Sequence, residues 1–184
     1  EEIIDLNPNL IKIPSAQNLN LELLKFIYDN FNKEVHISLG MTTSKEIEVI
    51  FNFIKTLNRL KDTVFYHCTS TYPANFEDLN LLEISELIKR FSRELKCVGF
   101  SGHHNGIAID ISAVTLGAKY IERHFTLDRT WKGTDHAASL EPQGMRKLKR
   151  DLINLDKALK YKSKHDNILE SEIEQFKKLK WKKN

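Results

Sequence analysis

Residues 99–142 read GFSGHHNGIAIDISAVTLGAKYIERHFTLDRTWKGTDHAASLEP. Two histidines, His103 and His124, stand at strand-like positions separated by one helix-length segment, and the chain then enters a loop carrying Asp135 and His136. Polar groups at the ends of successive buried strands mark a site at the mouth of a parallel sheet. Within the stretch, Val98 and Phe100 alternate with Gly99 and Ser101, and Ile121 and Phe125 alternate with Glu122 and His124. Each strand therefore has one apolar face and one polar or small face.

The same alternation runs back through the chain. Ile11 and Ile13 flank Lys12, and Val35, Ile37 and Leu39 alternate with His36 and Ser38. Five short apolar runs read as strands: 10–13, 35–39, 63–68, 97–101 and 119–125. Helical spacing lies between them, in Leu21, Leu24, Ile27 and Phe31, in Ile47, Ile50, Phe51 and Ile54, and in Leu81, Ile84, Leu87, Ile88 and Phe91. Thr43 or Ser44 is a suitable N-cap for the second of these. Residues 107–116 are apolar nearly all round and are expected to be buried, and Leu148, Leu152, Leu155 and Leu159 mark a helix after the fifth strand.

Repeating strand–helix units imply a parallel sheet, either open and doubly wound or part of a (β/α)8 barrel. In a doubly wound sheet helices cover both faces and the strands read as continuous apolar runs. Two-faced strands favour the barrel, with the apolar set under the helices and the polar set inside. The expectation is a partial (β/α)8 TIM barrel of about five C-terminal βα units over residues 1–160, followed by a charged helical tail over 161–184. Five units fall short of eight, so this reading expects Glu1 not to be the natural start of the functional unit, and the first residue is not Met.

With 184 residues, 41% hydrophobic and 29% charged, the chain is ordinary for a globular domain with a substantial core. No apolar run reaches the ~18 residues of a membrane span, and the opening Glu1-Glu2-Ile3-Ile4 does not resemble a signal peptide. Cys68 and Cys97 lack metal-ligand spacing and read as buried, reduced thiols, as expected in the cytoplasm. The net charge of +3 is uneven, because residues 160–184 hold eight Lys against four acidic residues. Such a run reads as a solvated terminal helix; neither nucleic acid nor a membrane is expected as a partner.

Lys12, set between two isoleucines, reads either as an inward anion-binding group or as an edge lysine reaching solvent. Ser15, Ser38, Ser70 and Ser101 each fall at or just past a strand's C-terminal end, where together they would ring an oxyanion with hydroxyl donors. His103 and His124, on neighbouring strands ~4.8 Å apart, read either as structural histidines or as ligands of one ion, with Glu122 and Asp135 near and His104 an alternative ligand. Two nitrogens completed by oxygens suit an open octahedral ion such as Mn²⁺ or Fe²⁺, not a closed zinc site. Tyr72, in a Tyr-Pro turn, either flanks a small substrate or packs within its loop. His36, His67, His136 and His165 read as structural or surface residues.

At these residues the chain resembles the sialic acid synthase family. The matching segments are Lys12-Ile13-Pro14-Ser15, Ser38-Leu39-Gly40-Met41, His67 to Pro73 with Glu77-Asp78-Leu79-Asn80, Gly99 to His103, Leu116 to Phe125, and the long block Trp131 to Pro142. The resemblance spans about residues 10–160. It implies condensation of phosphoenolpyruvate with N-acetylmannosamine or its 6-phosphate, giving N-acetylneuraminate or its 9-phosphate and phosphate. A related nonulosonic-acid synthase, of the legionaminic or pseudaminic type, and a non-catalytic fragment retaining an anion and metal site are the alternatives.

By the resemblance, His103 and His124 hold a divalent metal, Mn²⁺ first, with Mg²⁺, Co²⁺ or Fe²⁺ as alternatives. Lys12, Ser15, Ser38, Ser70 and Ser101 contact phosphoenolpyruvate, and Tyr72 and Asp135 face the sugar. A homodimer is also implied. Gln17 stands where many members carry an acidic residue, which alters the sugar contact there. Ser70 stands where some have Asn, and Gly102 where many bacterial members have Asp. The family's first three barrel units, and the antifreeze-like domain whose arginine enters the partner subunit's site, are expected to have no counterpart in these residues.

Overall fold

A computed structural model describes residues 2–161 and 168–181. Five strands, β1 (Leu10–Ile13), β2 (Glu34–Ser38), β3 (Thr63–Cys68), β4 (Cys97–Gly102) and β5 (Ile121–Arg123), form one sheet in the order β1-β2-β3-β4-β5. Every neighbouring pair is parallel. The helices are α1 (Glu2–Asp5), α2 (Leu21–Asn30), α3 (Ser44–Thr56), α4 (Glu83–Phe91), α5 (Ala108–Thr115), α6 (Pro142–Ala158) and α7 (Ile173–Leu179). A doubly wound sheet reverses its strand order at a switch point. This sheet never does, so it is an arc of a barrel wall, a half-barrel with β1 and β5 at its two edges.

Strand alternation divides the side chains as the two-faced pattern requires. Ile11, Ile13, Val35, Ile37, Phe65, Val98 and Phe100 join Leu24, Ile27, Ile50, Ile54, Ile84, Leu87 and Phe91 in one core between sheet and helices. Lys12, His36, Ser38, Tyr66, Ser101 and Glu122 project from the opposite, concave face. Full burial of residues such as Phe65, Leu24 and Ile54 contributes roughly 1.5–3 kcal/mol each.

The helices start where their end groups are satisfied. Thr43 is the N-cap of α3 in a capping box: its hydroxyl accepts from the Glu46 N–H while the Glu46 carboxylate accepts from the Thr43 N–H. The Asn20 side chain caps α2 by accepting from the Leu23 N–H. Pro142, whose missing N–H costs nothing in the first turn, opens α6.

Three expectations are corrected. The segment 107–116 is not buried all round: in α5 only Asp110 and Ala113 are buried, with Ile109 and Leu116 partly covered. The helix packs between β4 and α6, and Ala108, Ser112 and Thr115 on its remaining side are exposed. The fifth strand is shorter than 119–125, so His124 lies just beyond it, and Phe125 is 55% exposed instead of facing the helices. There the chain turns away to pair with Leu140. Leu159 caps the end of α6 and is exposed.

In the tail a 3-10 turn at Glu170–Glu172 precedes α7, which buries no residue. His165 lies outside the described residues. Among the described residues no helix is long and apolar enough to cross a membrane.

Candidate active site

The C-terminal ends of β1–β5 carry the polar groups. On the concave face, Lys12 donates from Nζ to Ser38 Oγ at 2.7 Å and pairs with Glu122 Oε2 at 3.1 Å. Ser101 Oγ donates to Glu122 Oε1 at 2.8 Å. One carboxylate thus joins the inward lysine to the β4 serine, across the register that pairs Ser101 with Glu122. Lys12 points inward instead of lying in solvent as an edge lysine would; its side chain is 23% exposed and its charge is matched by Glu122.

Nearer the rim, Ser15, Cys68 and Ser70 close around Gly40. The Gly40 N–H donates to Ser15 Oγ at 3.0 Å, and Ser15 Oγ lies 3.6 Å from Cys68 Sγ. Cys68 Sγ is 3.8 Å from Ser70 Oγ. A side chain at position 40 has no room, since a Cβ there would overlap Ser70 Oγ and stand 2.7 Å from Ser15 Oγ. The four serines therefore fall in two linked pairs, Ser38 joined to Ser101 through Lys12 and Glu122, and Ser15 joined to Ser70 through Cys68.

His103 and His124 come together. Their ring centroids are 5.1 Å apart and the rings are nearly perpendicular. His103 is buried and donates from Nδ1 to the Thr69 carbonyl at 2.7 Å. That bond fixes the ring through Nδ1, the arrangement common to ligating histidines, and leaves the other ring nitrogen to the Cys68 side. His124 Nδ1 lies 3.4 Å from Asp135 Oδ2. The Tyr72 ring stands over both, 4.2 Å from His103 and 5.6 Å from His124.

Burial pushes the Cys68 thiol up, but hydrogen bonds to His103 and Ser15 outweigh it and bring the group down to about 7. His103 answers in kind: burial lowers it, and its bonds to Cys68 and the Thr69 carbonyl carry it above the usual imidazole range. Burial raises the Tyr72 phenol. The Cys68 thiol is thus a wall of the site and not an inert core group, and Cys97 is only partly buried. Its parity with Tyr66 along β3 was the available signal. Glu122, expected near the two histidines, holds Lys12 and Ser101, while the role of the Thr69 carbonyl has no signal in the sequence.

Other residues fall outside the cluster. Gln17 is exposed and its side chain accepts from Asn20 Nδ2 at 3.0 Å. His104 cannot serve as the alternative ligand. It points to the helix side of the sheet, fully buried, with Nε2 3.2 Å from Arg123 Nη1. His36 is buried between Tyr66 and Glu34. His67 Nε2 donates to the Leu79 carbonyl, and His136 Nδ1 meets Thr126 Oγ1.

Among the described residues no group of three or more His, Cys, Asp or Glu is placed to hold a metal. The donor set fits an ion that takes two protein nitrogens and fills its remaining positions with water or substrate oxygens. It does not fit a closed structural site, which needs four protein ligands.

Residues 1–164 match the NeuB family. N-acetylneuraminate-9-phosphate synthase from Homo sapiens is 40% identical over 159 residues, covering 86% of this chain and 43% of that protein. N,N'-diacetyllegionaminic acid synthase from Campylobacter jejuni is 40% identical over 156 residues, covering 84% and 46%. The crystal structure of N-acetylneuraminic acid (sialic acid) synthetase from Leptospira borgpetersenii, in complex with citrate, superposes with a TM-score of 0.78 at 32% identity over 95% of this chain and 58% of that one. The chain spans less than half the length of the curated relatives named here. Matched over nearly all of its barrel units, the chain belongs to the NeuB family.

Proposed function

We propose that this chain carries the metal-binding and phosphoenolpyruvate-binding side of a nonulosonic-acid synthase site, whose reaction joins phosphoenolpyruvate to an N-acetylated amino sugar and releases phosphate. The observation that supports this most is the convergence of His103 and His124 beneath Tyr72 and beside Asp135, at the same end of the sheet as the Lys12–Ser38 pair and the hydroxyls around Gly40. The sugar is N-acetylmannosamine or its 6-phosphate in the first reading. The likeness to a legionaminic acid synthase at the same 40% identity, together with Gln17 outside the cluster, supports a diacetamido sugar as the second.

A divalent ion between His103 and His124, Mn²⁺ first, supplies Lewis-acid polarisation of the sugar's aldehyde oxygen when bound. The rest of the work belongs to the chain. Lys12 brings a positive charge and Ser38 a hydroxyl to the carboxylate or phosphate of phosphoenolpyruvate, and Ser15 and Ser70 bring two more hydroxyls. Glu122 holds Lys12 until an anion takes its place, and Ser101 keeps that carboxylate oriented. Tyr72 shields one side of the site from water, while Asp135 stands where a sugar hydroxyl would donate. Held so, C3 of phosphoenolpyruvate bonds to the aldehyde carbon, water adds at C2, and the C–O bond to phosphate breaks. The two thiols, free in this structure, suit a reducing cytoplasm.

The test is phosphate release from phosphoenolpyruvate with Mn²⁺ and each amino sugar side by side. Release with one sugar and its loss in His103→Ala and His124→Ala are expected. Unchanged release by metal-free His124→Ala protein would contradict the metal's role. Saturable phosphoenolpyruvate binding that survives Lys12→Ala undiminished would contradict the anion site.

A further inference from the structure

Directly behind the two histidines, between the β4–β5 end of the sheet and α5, lies a charged cluster that the proposed chemistry does not use. Arg123 Nη1 is 2.6 Å from Asp110 Oδ2 and 3.2 Å from His104 Nε2, and the side chains of all three are at most 1% exposed. His104 Nδ1, Asp110 Oδ1 and Arg123 Nε make no hydrogen bond. A buried ion pair that leaves polar atoms unpartnered is a poor source of stability, and well-packed apolar residues often serve as well or better. The cluster's contacts indicate another use.

Arg123 precedes His124 in the chain, and His104 follows His103. Because strand side chains alternate, each histidine of the site points inward while its neighbour points back into this cluster. The Arg123 guanidinium then reaches three backbone carbonyls in two segments. Nη2 donates to the His104 carbonyl at 2.6 Å and to the Ala138 carbonyl at 3.4 Å, and Nη1 donates to the Gly106 carbonyl at 2.9 Å. These are the loop leaving His103 and the turn that follows Asp135. Asp110, on α5, fixes the guanidinium from the other side. A planar fork with several donors can do this, and a lysine's point charge cannot.

We propose that Arg123, anchored by Asp110, is a positioning residue that sets His103 and His124 at the spacing a divalent cation requires, with Asp135 beside them. This rests on the reading that the two histidines hold that ion. The test measures Mn²⁺ affinity of the full chain from the signal of free Mn²⁺ in electron paramagnetic resonance, beside the thermal midpoint. Two variants are compared with wild type: Arg123→Lys, and the double variant Asp110→Leu/Arg123→Met, which removes the pair without leaving a lone buried charge.

Both variants are expected to bind Mn²⁺ about ten- to a hundredfold more weakly, the usual loss when the groups supporting metal ligands are disturbed, while the double variant melts no lower than wild type. Affinity within twofold of wild type in either folded variant would overturn the proposal. So would loss of the fold in both, since the cluster would then be a structural support alone. Wild-type protein that binds no Mn²⁺, or binds it undiminished as His103→Ala/His124→Ala, would instead remove the underlying assignment of the histidines.

Discussion

A Cβ at Gly40 would meet Ser15 Oγ at 2.7 Å and Cys68 Sγ at 3.2 Å, and would overlap Ser70 Oγ. The Ser15 and Ser70 hydroxyls converge only because this position has no side chain. Gly40→Ala is expected to push Ser15 and Ser70 apart and to weaken phosphoenolpyruvate binding about tenfold, equivalent to ~1.4 kcal/mol, without unfolding the chain. A titration followed by phosphorus-31 NMR measures it; undiminished binding would show that the two hydroxyls do not share one anion. The same scale shows what a sequence hides. His103 and His104 are consecutive, and either imidazole offers the same chemistry on paper. Strand parity separates them, one into the site and one into the helix layer. Cys68 reads as a core thiol in an apolar run, and only its parity with Tyr66 reveals that it faces inward. The contacts between Arg123 and Asp110 join residues 13 apart on different elements, a pairing no local pattern carries.

Elements were legible where both their ends and their faces follow local rules. The α3 helix has its cap, its Glu three residues on, and its buried Ile50, Phe51 and Ile54 on one stripe. Thr43→Ala is expected to destabilise the protein by about 1 kcal/mol, the usual loss of an N-cap side chain, and a urea melt with unchanged slope checks it. A loss below a few tenths would mean that Glu46 alone keeps the helix start. The α5 helix and β5 were less legible for a common reason. Hydrophobicity says that a segment prefers cover but not whether a neighbour supplies it. At the edge of the sheet α5 has a covered side and an open one, and Phe125 follows a bend towards Leu140 instead of the strand.

For the whole molecule, alternating faces in four strands were enough to choose a barrel wall over a doubly wound sheet, and the strand order agrees. Burial in that wall also fixes a pH response. Burial holds His36 and His67 below the usual imidazole range, so the folded chain keeps them neutral while the unfolded chain protonates them below about pH 6.5. Unfolding then takes up protons, and stability falls as pH falls through that value. Glu34, lowered mainly by its hydrogen bond to Lys96, adds a loss in the same direction once pH falls below the carboxylate range of about 4.3. His103, shifted upward, contributes stability that is fully present below the unfolded histidine value and is lost as pH rises through its folded value, so it offsets part of the loss from His36 and His67. The thermal midpoint is expected to be lower at pH 5 than at pH 7, with a smaller difference in His67→Gln. A midpoint independent of pH over that interval would contradict this account of the buried imidazoles.

The central claim is that one ion-binding point lies between His103 and His124, on the concave rim of this wall. Paramagnetic broadening of imidazole and tyrosine ring signals during Mn²⁺ addition tests it most directly. The account predicts that His103, His124 and Tyr72 broaden first and together, that His36 and His67 lag behind, and that the ordering disappears in the His103→Ala/His124→Ala protein. Broadening centred on other residues, or unchanged by that substitution, would contradict it.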